Sequence, residues 1–343
     1  MRNILLTALT ALALVWLLCP LFIPLFARLK GARPERRIEP EPPQQTTKKK
    51  QPAAKPSPPS MGGVPVLLSV AIATLIFGLN GMEFALPALV ATLALGVLGF
   101  VDDFLRARDP EGIGLRTVVM LGVELVIAGV IAIWAYRSPL IGSALYLPLS
   151  GGEWDIGIWY IPLVIVAILL VVNAAHLSGD MDGLVAGVSA VYALALIAIF
   201  AALASVAYQD GGLLRGDNLS GGAIFAAAVA GAGIGFSRFN LYPARVQAGS
   251  SGTFAFGGAV AMLAILSRSL LLLPLMSFCL LASIGSIVLQ AFSKAQEGGK
   301  RLFRAAPIHR HYELTGRPAS KIASVYTILT AVICAVCLIP YFR

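Results

Sequence analysis

Charge is scarce in this 343-residue chain: Asp, Glu, Lys and Arg together make up 13% of it, while apolar residues make up 58%. A soluble domain carries roughly 25% charged and about 45–50% apolar residues, so a soluble enzyme is excluded, as is disorder over most of the length. Cysteine is scarce too. The four present (Cys19, Cys279, Cys334, Cys337) all lie inside apolar runs, without metal-ligand spacing, and read as small core hydrophobes rather than as disulfides or a zinc site. Acidic residues number 17 against 26 Lys and Arg. The resulting net charge of +9 would suit a nucleic-acid partner if the basic residues were gathered on one surface. No polar stretch is long enough for a soluble domain. One low-complexity segment, 33–59, is rich in Pro, Lys and Gln and lacks the apolar residues that would offset its ordering entropy, so it is predicted to be a flexible loop.

What the chain has in abundance is long apolar runs. They fall at about 3–26, 64–80, 84–101, 116–136, 157–174, 184–207, 221–237, 253–267, 269–292 and 322–341. A membrane-spanning helix needs about 20 such residues, which predicts an all-α polytopic membrane protein of about ten helices and one integral membrane domain over 1–343. The first run is too long for a typical signal-peptide core, and Cys19 within it has no small residue before it and is followed by Pro20, so the run is read as a first transmembrane helix. The connections after the odd-numbered helices carry 21 of the 26 Lys and Arg; the other five are Arg2, Arg137, Arg215, Arg268 and Arg343. Basic residues mark the cytoplasmic side. Both termini are therefore predicted to face outward, and the positive charge is a topology signal rather than a nucleic-acid footprint.

The chemistry-bearing residues collect on that same side. His176, His309 and His311, the pairs Asp102-Asp103 and Asp180/Asp182, the turn Met61-Gly62-Gly63 and the string Gly249-Ser250-Ser251-Gly252-Thr253 all fall in or beside the cytoplasmic connections. One cytoplasmic active or binding site follows. Adjacent carboxylates at a helix end can position a divalent metal or act as a base; equally, such a pair can simply cap the helix in water. The Gly/Ser string suits a phosphate-cradling loop, although no Gly-Lys-Ser/Thr follows, and it also suits an ordinary helix N-terminus. Asn173, His176, Asp182 and Asn240 are suited to a nucleobase and sugar, and His309-Arg310-His311 to phosphate oxygens or to plain solvated surface. Glu124, inside the fourth run, is a functional candidate because an intramembrane carboxylate is costly.

The order of these elements resembles the phospho-N-acetylmuramoyl-pentapeptide-transferase family of polyprenyl-phosphate sugar-1-phosphate transferases, nearly end to end. Pro59-Ser60-Met61-Gly62-Gly63 is similar to the family's Pro-Thr-Met-Gly-Gly. Gly99-Phe100-Val101-Asp102-Asp103-Phe104-Leu105-Arg106 is similar to Gly-Phe-x-Asp-Asp-x-x-Lys. Asn240-Leu241-Tyr242-Pro243-Ala244 resembles Asn-x-x-Pro-Ala, and Pro307-Ile308-His309-Arg310-His311-Tyr312-Glu313 resembles Pro-Leu-His-His-His-Phe-Glu. The resemblance implies a multi-pass protein of the bacterial cytoplasmic membrane, with undecaprenyl phosphate as acceptor, UDP-MurNAc-pentapeptide as donor, Mg²⁺ or Mn²⁺ as cofactor and no nucleic acid. It also admits a homodimer. It implies Asp102, Asp103 and His309 as catalytic residues, and Lys55, Ser60, Arg106, Asn173, His176, Asp182, Asn240, Arg310 and His311 at the substrates.

Two strings depart from the pattern, and in a third the middle histidine is Arg310. His176-Leu177-Ser178-Gly179-Asp180-Met181-Asp182-Gly183 stands where the family has Asn-Leu-Thr-Asp-Gly-Leu-Asp-Gly, so a carboxylate is lost at Gly179 and gained at Asp180. Gln247-Ala248-Gly249-Ser250-Ser251-Gly252-Thr253 stands for Phe-Met-Gly-Asp-Thr-Gly-Ser, so Ser250 occupies the family's metal-ligand position and Gln247 that of the aromatic on uracil. A replacement metal set of Asp180, Asp102 and Asp103 is expected. Two readings stay open: a transferase with a rearranged site, or a catalytically impaired relative that binds polyprenyl phosphate or a nucleotide sugar as a scaffold or regulator. A transporter would need polar residues along several helices, and Glu124 alone is no pathway.

Overall fold

The computed structural model describes residues 1–30, 58–109, 112–147, 152–295 and 301–342. The predicted flexible loop at 33–59, Pro58 and Pro59 apart, and Lys55 within it, lie outside the described residues. Among those described, the chain is almost entirely helical: α1 (Arg2–Lys30), α2 (Gly63–Phe77), α3 (Met82–Arg108), α4 (Thr117–Arg137), α5 (Tyr160–Ser178), α6 (Leu184–Gln209), α7 (Leu213–Asn240), α8 (Gly249–Leu266), α9 (Leu273–Met276), α10 (Phe278–Ala295), α11 (Ile308–Leu314) and α12 (Ala319–Leu338). Nine helices among the described residues are long and apolar enough to cross a membrane. The remaining predicted run, the second, is α2, whose 15 residues span less than a bilayer's hydrocarbon thickness of about 30 Å at about 1.5 Å per residue. The chain is a polytopic membrane protein.

Three details differ from the hydropathy reading, each for a local reason. Helix α7 begins eight residues before its apolar run, at Leu213. Its polar first turns are held by Asn218, which donates to the Leu214 carbonyl and accepts from the Glu83 backbone N–H, and by Tyr208, which donates to Asp217 at 2.7 Å. The ninth run is broken at Ser277 into the short α9, with Pro274 in its first turn, and α10. A two-stranded antiparallel hairpin, β1 (Ala144–Tyr146) and β2 (Glu153–Asp155), joins α4 to α5 and is pinned by Arg268 on Glu153.

Helices α7 and α8 lie at the centre of the bundle, almost wholly buried, while α1, α4, α10 and α12 turn most of their apolar surface outward. The inner pair is built from Gly, Ala and Ser, small residues that let helix backbones approach closely where apolar burial gives no driving force in lipid. The α1–α7 contact shows this most sharply: a Cβ added at Gly231 would stand 2.1 Å from the Ala8 carbonyl oxygen. We expect Gly231→Leu to lower stability in detergent by about 1–3 kcal/mol, the usual cost of overpacking. Gly129→Leu, with nothing within 4 Å of its Cβ position, should leave the melting temperature nearly unchanged. Equal effects at both positions in thermal unfolding would contradict this packing.

Candidate functional site

Six segments meet at the end of the bundle where α8 begins. Gly249 opens α8 at a φ of 69°, a conformation suited to glycine, and a Cβ there would stand 2.4 Å from Asp103 Oδ2. That tight start aims the first free N–H groups of α8 at α3. The Ser250 and Ser251 backbone N–H groups donate to Asp103 Oδ1 at 3.0 Å and Oδ2 at 2.9 Å, and the Ser251 hydroxyl adds a third bond to Oδ2. Asp102 accepts the Ser250 hydroxyl at 2.5 Å and Arg106 Nη2 at 3.0 Å on one oxygen, and the Leu115 N–H at 2.8 Å on the other. Both carboxylates are essentially inaccessible to solvent. The strand of chain before α2 closes the other flank: Gly62 and Gly63 donate to the Gln247 and Ala248 carbonyls, and Gln247 N–H to Pro59. Ser60 sits half-buried in that bend.

The second half of the site is built on Asp180, in the turn after α5. One of its oxygens lies 2.9 Å from His309 Nε2; the other accepts the Nε–H of Arg310 at 2.6 Å and also its Nη2–H. His309 is fully buried, with its Nδ1 toward the Ser283 hydroxyl, which in turn meets Ser178 at 2.7 Å. Burial works to raise the Asp180 carboxyl, but the hydrogen bond and charge of His309 and the charge of Arg310 outweigh it and hold the group below the ordinary carboxylate range. His176 joins the halves. Its ring lies 3.3 Å from the Thr253 hydroxyl and within electrostatic reach of Asp102, Arg106 and Asp180. Burial pushes the Glu313 carboxyl up, against the pull of His309.

Several expected ligand residues are committed to the protein itself. Asn240 accepts the Gly183 N–H through its Oδ1 and donates its Nδ2 to the Val246 carbonyl, both at 3.0 Å, and so ties two loops together. The Asn173 amide nitrogen lies 2.9 Å from each oxygen of the buried Glu124 and 2.8 Å from the Leu169 carbonyl. Asp182 accepts the Ala244 N–H at 3.1 Å. His311 Nδ1 accepts the Arg304 N–H, and its ring stands edge-on to Phe303 and Tyr312. The sequence reading gave Ser251 only a place in the Gly/Ser string and had no role for Ser283, Leu115 or Glu313. Only Ser251 and Glu313 stand inside strings that signalled a site.

The expected metal set does not assemble. Among the described residues no three His, Cys, Asp or Glu side chains converge to hold a metal ion. The reason is local: Asp180 is drawn to Arg310 and His309, while Asp102 and Asp103 each accept three hydrogen bonds, leaving few lone pairs for a cation that demands near-octahedral oxygen coordination. The donor set present does not fit Mg²⁺. The displaced carboxylate also has a steric reason. A Cβ at Gly179 would stand 2.2 Å from the Thr253 methyl, and that side chain is held by its hydroxyl bonds to the Gly249 and Ser250 carbonyls. Gly179→Ala should therefore destabilise the protein by about 1–3 kcal/mol, and Thr253→Ser in the same chain should recover most of it. Additive effects in the double variant, measured by thermal unfolding, would contradict this coupling.

Comparison with known proteins shows the family. The model of glycosyl transferase family 4 matches residues 85–268, more than half of the chain. A phospho-N-acetylmuramoyl-pentapeptide-transferase from Clostridium novyi (strain NT) is 32% identical over 92% of this chain and 90% of its own length. Proteins of the same name from Alkaliphilus metalliredigens (strain QYMF) and Clostridium kluyveri (strain NBRC 12016) are 33% and 30% identical; each comparison covers 98% of this chain, and 97% and 98% of the relative respectively. With its central helices inside the family match and relatives aligned from end to end, the chain belongs to glycosyl transferase family 4 and to its phospho-N-acetylmuramoyl-pentapeptide-transferase branch.

Proposed function

We propose that the protein transfers phospho-MurNAc-pentapeptide from UDP-MurNAc-pentapeptide to undecaprenyl phosphate at the cytoplasmic face of the bacterial cytoplasmic membrane, with both termini outside. The products are the first lipid intermediate of peptidoglycan synthesis and UMP. The observation that carries this reading is the convergence of Asp102, Asp103, His176, Asp180, His309 and Arg310 at one end of the bundle, in a chain whose end-to-end relatives bear that enzyme's name. In the reaction an oxygen of the lipid phosphate attacks the sugar-bearing phosphorus of the donor. The bond from that phosphorus to the bridging oxygen breaks, and the bridging oxygen leaves with UMP.

The residues are suited to orientation and charge rather than to covalent chemistry. A phosphate monoester loses its second proton near pH 6, so the acceptor is largely ionised at neutral pH and needs no strong base. Asp102, buried beneath three donors, serves to hold Arg106 and the start of α8. Arg106, with about half its side chain exposed, faces one phosphate and Arg310 the other. The family expectation of Mg²⁺ is not carried into any step, since the donor set does not fit it.

The test is UMP release by purified protein in lipid-supplemented detergent, with both substrates present and with divalent metal added or chelated. We expect UMP release, reduced at least about 100-fold by Asp102→Asn, the scale seen when one preorganised group is lost. No UMP release under any condition, together with thermal stabilisation by the UDP-sugar, would replace this reading with that of a binding relative without turnover.

A further inference from the structure

Three carboxylates at this site already have a counter-charge of the protein's own. Asp103 lies on the positive end of α8, Asp102 on Arg106, and Asp180 on Arg310 and His309. Carboxylates arranged to hold a divalent cation stand partly unpaired until it arrives; these do not. Position 250, where a further carboxylate would extend the acidic set, is a serine whose hydroxyl donates to Asp102 and uses another of its lone pairs. Arg310 is placed differently from a surface arginine. Nε and Nη2 are fixed on one oxygen of Asp180 while the buried His309 holds the other, so the guanidinium plane is set by two residues instead of by solvent. Its Nη1 has no partner among the described residues, and about a third of the side chain is accessible. A guanidinium presents planar paired donors that match phosphate oxygens.

We propose that Arg310, held by Asp180, is the fixed cation of a diphosphate subsite, standing in for a divalent metal, so that a nucleoside diphosphate binds here without one. The inference rests on the transferase reading only for the diphosphate character of the ligand. Asp180 is then a positioning residue: it acts through Arg310. This assigns a single cause to two departures from the family pattern, since the carboxylate lost at Ser250 and the arginine gained at 310 both move positive charge from an ion to the chain. It also gives Asp180 a task different from ligating metal.

The experiment is UDP binding to the full-length protein in detergent, by calorimetry, in EDTA and in millimolar Mg²⁺, alongside Mn²⁺ titration of the protein alone by electron paramagnetic resonance. We expect UDP affinity to agree within about 3-fold between EDTA and Mg²⁺, and no stoichiometric Mn²⁺ site. Arg310→Gln should weaken UDP at least about 10-fold, the lower range for a hydrogen bond to a charged group, with Arg310→Lys intermediate because it keeps the charge and loses the fork. Asp180→Asn should weaken UDP by a smaller factor in the same direction. Stoichiometric Mn²⁺, UDP binding that collapses in EDTA, or no UDP binding in either buffer would overturn the proposal. The wild-type comparison decides it even if a variant fails to fold. UDP binding of the expected kind without any UMP release would remove the transferase reading and leave this one standing.

Discussion

The start of α8 is fastened to α3 by two buried carboxylates, and the rest of the site depends on that junction. A helix N-terminus leaves backbone N–H groups without intrahelical partners and carries partial positive charge. Asp103 satisfies two of those groups and gains a third bond from the Ser251 hydroxyl. Hydrogen bonds to a charged group are worth about 1.5–3 kcal/mol each, which offsets much of the cost of burying the carboxylate beside Asp102. With α8 fixed, Thr253 is fixed one turn later, and through it His176 on α5 and the space available at Gly179. The central helix of the bundle is thereby tied to α3 and sets the position of residues at the end of α5.

Polar junctions of this kind are located where they can be afforded least easily by lipid and most easily by protein: at the ends of inner helices. The opposite end of the bundle has its own set, with Asn218 on the Glu83 N–H and Arg268 on Glu153, but there each charge serves a local tie between neighbouring elements. At the α8 end the charges are layered instead. Asp103 is wholly internal, Asp102 reaches Arg106 at the surface, and Asp180 reaches Arg310. A gradient from buried anion to accessible cation faces outward, which suits an anionic ligand.

Much of this was legible in the chain itself. The ten apolar runs correspond in order to nine spanning helices and the shorter α2, because hydropathy over about 20 residues reports the bilayer directly. The gathering of His176, Asp102, Asp103, Asp180 and His309 followed from their shared placement in connections of one parity. What the sequence could not disclose was which polar atoms are consumed internally. Asn240 and Asn173 carry the same groups whether they bind a ligand, clamp two loops or meet Glu124, and Asp180 gives no sign of its partners on α11 until that short helix is packed against α10 and α12. The polar start of α7 and the β1–β2 hairpin escaped for a similar reason: tertiary hydrogen bonds, not local composition, hold them.

The central claim is that Asp103 holds the first amides of α8 and thereby the site. Hydrogen exchange at the Ser250 and Ser251 backbone amides, in the wild type and in Asp103→Ala, tests it directly. Both amides should be strongly protected in the wild type and should exchange at least about 10-fold faster in the variant, the equivalent of one charge-assisted hydrogen bond at the low end of its range. Rapid exchange at these amides in the wild type, or the same rate with and without the carboxylate, would contradict the account.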